Sequence, residues 1–177
     1  MTIPTTHLRN KALLAAVIDR IEHDGTLSQM ENTEKPAPTG FTCWNQVSWQ
    51  SLVQVTADRC GTALCAAGYT AELAGRKWLV TLDSDGIPLL CGEPTNWTTA
   101  FYNTGYVLAD ESDPADEIAT ACGHQVVHVR DAALRLLGLE PQSVFDINGH
   151  LLNVPHPLFA PGNKVADLRA WLDRLPD

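Results

Sequence analysis

The sequence has no run of basic residues: 12 Lys and Arg are scattered among 21 Asp and Glu, for a net charge of −9 and an isoelectric point near 5.0. Generic nucleic-acid binding depends on clustered Lys and Arg that displace phosphate counterions, so this balance argues against it. Long apolar runs are also missing. The longest near the amino terminus, Ala12 to Ile18, falls far short of the roughly 20 residues that span a bilayer. It is flanked by Arg9, Lys11, Asp19 and Arg20 and lacks a small-residue cleavage pattern. These absences predict a cytoplasmic protein with no membrane partner. Walker A and Rossmann glycine signatures are absent, which removes the strongest sequence argument for nucleotide chemistry, and no cofactor is expected. Paired Cys-x-x-Cys segments are absent as well, so no metal is expected.

What the chain does have is enough apolar material for a core. With 177 residues, 45% of them hydrophobic, it fits a single compact domain over 1–177. Five cysteines, Cys43, Cys60, Cys65, Cys91 and Cys122, leave one over however bridges are drawn, which fits reduced thiols better than a disulfide framework. The expected fold class is α+β, mainly helical, with one small β-hairpin.

The spacing of Leu14, Val17, Ile18 and Ile21 predicts an amphipathic helix from His7 to about His23, capped by Thr6 and ended by Gly25. Residues 26–42 carry Pro36, Pro38 and Gly40 without an apolar period and read as an irregular surface segment. Trp44 and Trp49 precede Leu52, Val53 and Val55 and read as core anchors. A second helix is predicted over Thr62 to Ala74, with Gly75 closing it and Arg76 and Lys77 at its negative end. Asp83-Ser84-Asp85-Gly86 between two apolar runs predicts a hairpin. The remaining ligands of a calcium loop are missing there. Residues 92–123 read as a second irregular surface segment with at most short elements, a surface available for binding. Asp131 to Gly138 predicts a short helix, Glu140-Pro141 the start of another helical turn, and Asn163 the cap of a helix over Lys164 to Leu175.

The order of these segments resembles a group of small, functionally uncharacterised proteins from actinobacteria and their phages. The resemblance rests on the opening helix ending near Ile21-Glu22 and on the tryptophan region. It continues with Cys60-Gly61-Thr62-x-x-Cys65-x-Ala67-Gly68, Leu73-Ala74-Gly75, Leu136-Leu137-Gly138-Leu139, Leu158-Phe159, Asn163 and Leu168-Arg169. Its specific part is the cysteine motif. Tyr69 stands where the group often carries Trp or His, and the stretches around Thr95 to Asp116 and Asn148 to Pro157 depart from its compact pattern. The resemblance implies the fold, an intracellular origin and a phage or prophage source, and it implies no chemistry.

Two readings of the cysteine motif stay open. In one, Cys60 is a thiolate at a helix start, activated by the free N–H groups there. His124 or His128 would then accept its proton and Asp146 or Asn148 would orient the imidazole, as in a papain-like cysteine hydrolase or acyltransferase. In the other, the Cys, Gly and Ala residues are small side chains that let a helix pack closely. A metal reading would recruit Cys122, His124 and His128. On a strand, however, those histidines would lie about 13 Å apart, too far to chelate together. The leading expectation is a small intracellular interaction or regulatory protein, phage-encoded, that binds a host macromolecule or small ligand and is not an enzyme. Its acidity favours a basic protein partner over DNA.

Overall fold

The computed structural model describes residues 10–27, 41–56, 59–140, 142–145, 151–154 and 156–175. Among them are five α-helices, one 3-10 turn and eleven strands in four small sheets. The architecture is therefore α+β, and the expectation of a mainly helical chain with one hairpin is corrected. Short apolar segments carry no period that separates strand from helix, and two of these strands, at residues 41–44 and 106–108, pair only with strands that are not their neighbours in the chain.

Helix α1, Lys11–Asp24, begins at Asn10, whose Oδ1 accepts from the Leu13 N–H at 3.0 Å. The Thr6 cap and the His7 start lie outside the described residues. The stripe Leu14, Val17, Ile18 and Ile21 is buried, as its spacing predicts, and the chain leaves through Gly25 at φ 78°. Strands β1, Phe41–Trp44, β2, Gln50–Thr56, and β3, Arg59–Leu64, form a sheet with β3 in the middle. Strand β3 runs parallel to β1, with Thr42 opposite Thr62, and antiparallel to β2, with Leu52 opposite Thr62. The second helix, α2, is thus shorter than expected and runs Ala66–Leu73; the residues before it belong to the sheet.

Helix α2 is the hub. Its Ala66, Ala67 and Tyr69 join the main core with α1, Leu134, Leu137, Leu158 and Leu168, while Ala71 joins a second cluster with Val107, Val127, Val129 and Ala132. Trp49 and Trp78 pack against both clusters. Each fully buried Leu or Ile in such a core contributes about 1.5–3 kcal/mol. Tyr69, almost wholly buried, donates its hydroxyl to Asp24 Oδ2 at 3.1 Å, and Asp24 also pairs with Arg20. Burial and the Asp24 charge push the Tyr69 hydroxyl far above its ordinary pKa.

The predicted hairpin is present as β4, Val80–Leu82, and β5, Pro88–Leu90. Asp83 Oδ1 accepts from the Asp85 and Ile87 N–H groups across the turn. The stretch from Gly92 to Gly123, expected to be irregular, carries β6, Glu93–Pro94, helix α3, Trp97–Asn103, and strands β7, Tyr106–Leu108, and β8, Ala119–Ala121. Strand β9, His124–His128, lies between β7 and β8 and leads directly into α4, Val129–Leu136. The helical turn expected after Pro141 is instead strand β10, Gln142–Phe145, paired with β11, Leu151–Val154. After the 3-10 turn Pro157–Phe159 comes α5, Val165–Arg174, where the Lys164 N–H donates to Asp167. Asn163 does not cap α5: its side chain donates to the Pro157 and Leu158 carbonyls.

Candidate functional site

The start of α2 decides what the cysteine motif can do. Cys60 sits in β3, opposite Gln54, so the helix-terminus route to a low thiol pKa is not open to it. The cysteine at the helix start is Cys65, which is 1% exposed. Its burial raises the thiol to about 11 against the opposing N–H groups of Gly68 and Ala67. The helix end is satisfied by a residue the sequence did not flag. Buried Gln46 accepts from the Ala66 N–H at 3.0 Å and from Trp44 Nε1 at 3.1 Å, and donates to the Leu158 carbonyl at 3.2 Å. One side chain thereby caps α2 and ties it to the β1–β2 loop and the 3-10 turn, leaving Cys65 as a packed thiol.

The two candidate bases occupy opposite ends of β9, as the strand reading required. His124 is exposed, whereas His128 is half-buried and caps α4 by accepting from the Arg130 N–H through Nδ1 at 3.1 Å. The His128 ring stands edge-on to Trp49 at 5.4 Å and to Tyr106 at 5.5 Å. Burial lowers its pKa, opposed by Asp131 and assisted by Arg130. A neutral imidazole in an aromatic nest with one nitrogen committed to a cap is well placed for packing. Asp146 and Asn148 lie outside the described residues. Cys122, at the turn before β9, is exposed, and among the described residues no three His, Cys, Asp or Glu side chains are arranged to hold a metal.

A second polar centre binds the carboxyl end of α2 to the rest of the domain. The Asp113 carboxylate is wholly buried and pairs with both Arg76 and Arg135. Arg76 also meets Asp110, and Arg135 meets Glu117. Burial works against the Asp113 charge most strongly, yet the Asp110 N–H and the two guanidinium groups together hold its carboxyl below the ordinary value. Such a paired, hydrogen-bonded carboxylate is a structural clamp whose loss would strand two cations.

The third feature is apolar and open. Helix α3 is capped by Asn96, which accepts from the Thr99 N–H at 2.8 Å, and buries only Ala100. Phe101 and Tyr102 are 71% and 75% exposed and Trp97 is 40% exposed; the Phe101 and Tyr102 rings meet edge-on at 5.7 Å. The helix packs on β5, and the hairpin leading into that strand presents Ile87, 46% exposed. Exposed Asp85 and Glu93 belong to the same hairpin and sheet. Comparison with known proteins gave no match: no family model, no curated protein and no solved structure aligned with the chain. Function therefore has to be argued from the chemistry of these surfaces. Among the described residues no helix is long and apolar enough to cross a membrane.

Proposed function

We propose that this chain is a small intracellular interaction or regulatory protein, phage-encoded, that grips a basic segment of a host protein with the aromatic face of α3. The carrying observation is the exposure of Trp97, Phe101 and Tyr102 on one short helix. Water solvates such rings poorly, and clustered exposed aromatics are the residues that anchor protein interfaces. Exposed Asp85 and Glu93, in the hairpin and sheet on which α3 packs, and the net charge of −9 supply the selectivity. Lys and Arg side chains are drawn by that charge and stack over aromatic faces, each contact worth about 0.5–1 kcal/mol at an exposed site. The same charge repels nucleic acid. The cysteine-hydrolase alternative has less support, because the thiol at the helix start is buried and the helix end is already capped by Gln46.

A titration with an Arg- and Lys-rich peptide, followed by amide hydrogen exchange, tests the reading. Protection is expected over residues 97–103, reduced at high salt and lost in the Phe101→Ala/Tyr102→Ala double variant, with no effect from a Glu-rich peptide. Equal response to both peptides, or protection that appears only on self-association of the protein, would count against it.

A further inference from the structure

Cys91 and Cys122 share an uncommon setting. They are the only non-glycine residues with positive φ among the described residues, at 55° and 50°, and each is followed by a glycine that is also left-handed, at 86° and 76°. Cys91-Gly92 is the two-residue loop joining β5 to β6, where Leu90 pairs with Glu93. Cys122-Gly123 is the corresponding loop joining β8 to β9, where Ala121 pairs with His124. Turns of this kind favour Asn, Asp or Gly at the first position, so cysteine is conformationally costly in both.

The two turns come from different sheets and meet. The Cys91 N–H donates to the Leu79 carbonyl at 2.9 Å, and the Leu79 N–H donates to the carbonyl of Tyr106 in β7 at 3.1 Å. Strand β7 pairs in turn with β9. A cleft of about 450 Å³ between the sheets is lined by Cys91, Gly92, Trp78, Leu108 and His124. His124 follows the Cys122-Gly123 turn directly, so both turns border this cleft, and the Cys122 side chain is near enough to act on the Cys91 thiol. Cys91 is half-buried and Cys122 is exposed.

We propose that Cys91 and Cys122 are a redox-active pair that closes into a reversible disulfide between the two turns, with a low-molecular-weight disulfide, RSSR, as oxidant. Cys122 gives its proton to solvent, and its sulfur attacks RSSR, forming a Cys122–SR mixed disulfide and expelling one thiolate. Cys91 then gives up its proton, and its sulfur attacks the Cys122 sulfur, breaking the Cys122–SR bond and expelling the second thiolate. The released thiolates take up the two protons, and two electrons pass from the cysteine pair to RSSR. Exposure assigns the first attack to Cys122 and the resolving step to the half-buried Cys91, whose thiol burial and the neighbouring Cys122 push up to about 11. Closure ties together the ends of a segment that carries β6, α3, β7 and β8.

The test treats the full chain with oxidised glutathione under native conditions and maps disulfides by peptide mass spectrometry. Asn, which accepts left-handed backbone, replaces each cysteine in turn, with circular dichroism to check folding. Wild type is expected to lose two hydrogens and yield a Cys91–Cys122 linked peptide that dithiothreitol removes. Cys91→Asn is expected to accumulate a glutathione adduct on Cys122. Cys122→Asn is expected to lose the internal disulfide and to be modified at Cys91 about tenfold more slowly, in keeping with its covered, protonated thiol. The proposal is overturned if wild type gives no Cys91–Cys122 peptide, or if Cys122→Asn still forms an internal disulfide at the wild-type rate.

Discussion

Gly68 is where this fold is tightest, and replacing it by alanine should destabilise the protein despite improving the helix. Gly68 lies inside α2, where alanine is favoured by about 1 kcal/mol. A Cβ at Gly68, however, would stand 2.6 Å from the Trp49 carbonyl oxygen, 3.1 Å from Leu64 Cβ and 3.2 Å from Leu64 Cδ2. Real Cβ contacts stay beyond 3.0 Å, so the Trp49 backbone must retreat by at least the 0.4 Å that separates 2.6 from 3.0. It is poorly free to do so, because its carbonyl accepts from the Cys65 N–H at 3.4 Å and its ring is wedged against His128 and Phe159. Forcing extra carbon into a filled core costs about 1–3 kcal/mol, which offsets or exceeds the propensity gain. Gly68→Ala should therefore lose up to about 2 kcal/mol, and Gly68→Leu, with three further carbons, should lower folded yield. Gly162→Ala, where nothing lies within 4 Å, is the control and should be close to neutral. Urea unfolding provides the assay, with an unchanged slope showing that the midpoint shift reports stability. A Gly68→Ala protein more stable than wild type by the full propensity gain would refute the close approach on which the argument rests.

The remaining predictions concern charge and thiols. Asp113→Asn should cost about 3 kcal/mol, because it leaves Arg76 and Arg135 facing a neutral group in a covered site. The Asp113 carboxyl is held below 3.8 in the folded state, so its contribution is complete above that value and disappears as pH falls below it; thermal melts across the acid range should show a shallower loss in the variant. His128 is shifted down from 6.5, so the folded state binds its proton less readily. Its share of stability is present above that pH and is lost as pH falls towards the folded value, and His128→Gln should remove that part of the pH dependence in chemical melts. Generic duplex DNA should give no shifted band in gel electrophoresis at physiological salt, and a tight, steeply salt-dependent complex would mean that a basic face had been overlooked. Cys60→Ser should retain whatever binding the wild type shows; loss of activity in a folded variant, together with rapid labelling of Cys60 by an electrophile, would restore the cysteine-enzyme reading.

The helices that pack through a periodic stripe were legible in the sequence. Leu14, Val17, Ile18 and Ile21 bury as their spacing requires, and Ala133 and Leu134 do the same in α4. The β4–β5 hairpin was legible because Asp83 satisfies its own turn through two local hydrogen bonds. Beyond such local devices the signal fades. Arg59–Leu64 is composed mostly of small residues that suit a close-packed helix equally well, and what makes it a strand is pairing on both sides, antiparallel with Gln50–Thr56 and parallel with the distant Phe41–Trp44, contacts that leave no local period. Pro141 suggested a helix start, yet the chain enters β10 because Leu151–Val154 offers it a partner. The Asp113 clamp draws on Arg76 and Arg135, 37 and 22 residues away, and no spacing rule reaches that far.

The Cys-Gly dipeptide shows the same limit and why it matters for function. It occurs at Cys60-Gly61, Cys91-Gly92 and Cys122-Gly123. The first copy, which opens the Cys60–Gly68 motif, lies within a strand. The other two occupy hairpin turns, where glycine is required by the second left-handed position and cysteine is tolerated in the first at a cost. Their difference comes from the flanks: Leu89-Leu90 before one turn and Val126-Val127 after the other can build ladders on both sides of the dipeptide, whereas Gly61-Thr62-Ala63 is itself a ladder in the centre of a sheet. A reactive pair is made when two such turns border one cleft, and the two sheets are joined there by residues 77–79, which pair with β7 while the Leu79 carbonyl accepts from Cys91. Disturbing that contact, for example with Leu79→Pro, should therefore weaken formation of the Cys91–Cys122 disulfide while both thiols remain in the chain, since the removed N–H donates to the Tyr106 carbonyl and, with the Leu108 N–H on the Lys77 carbonyl, joins the two sheets.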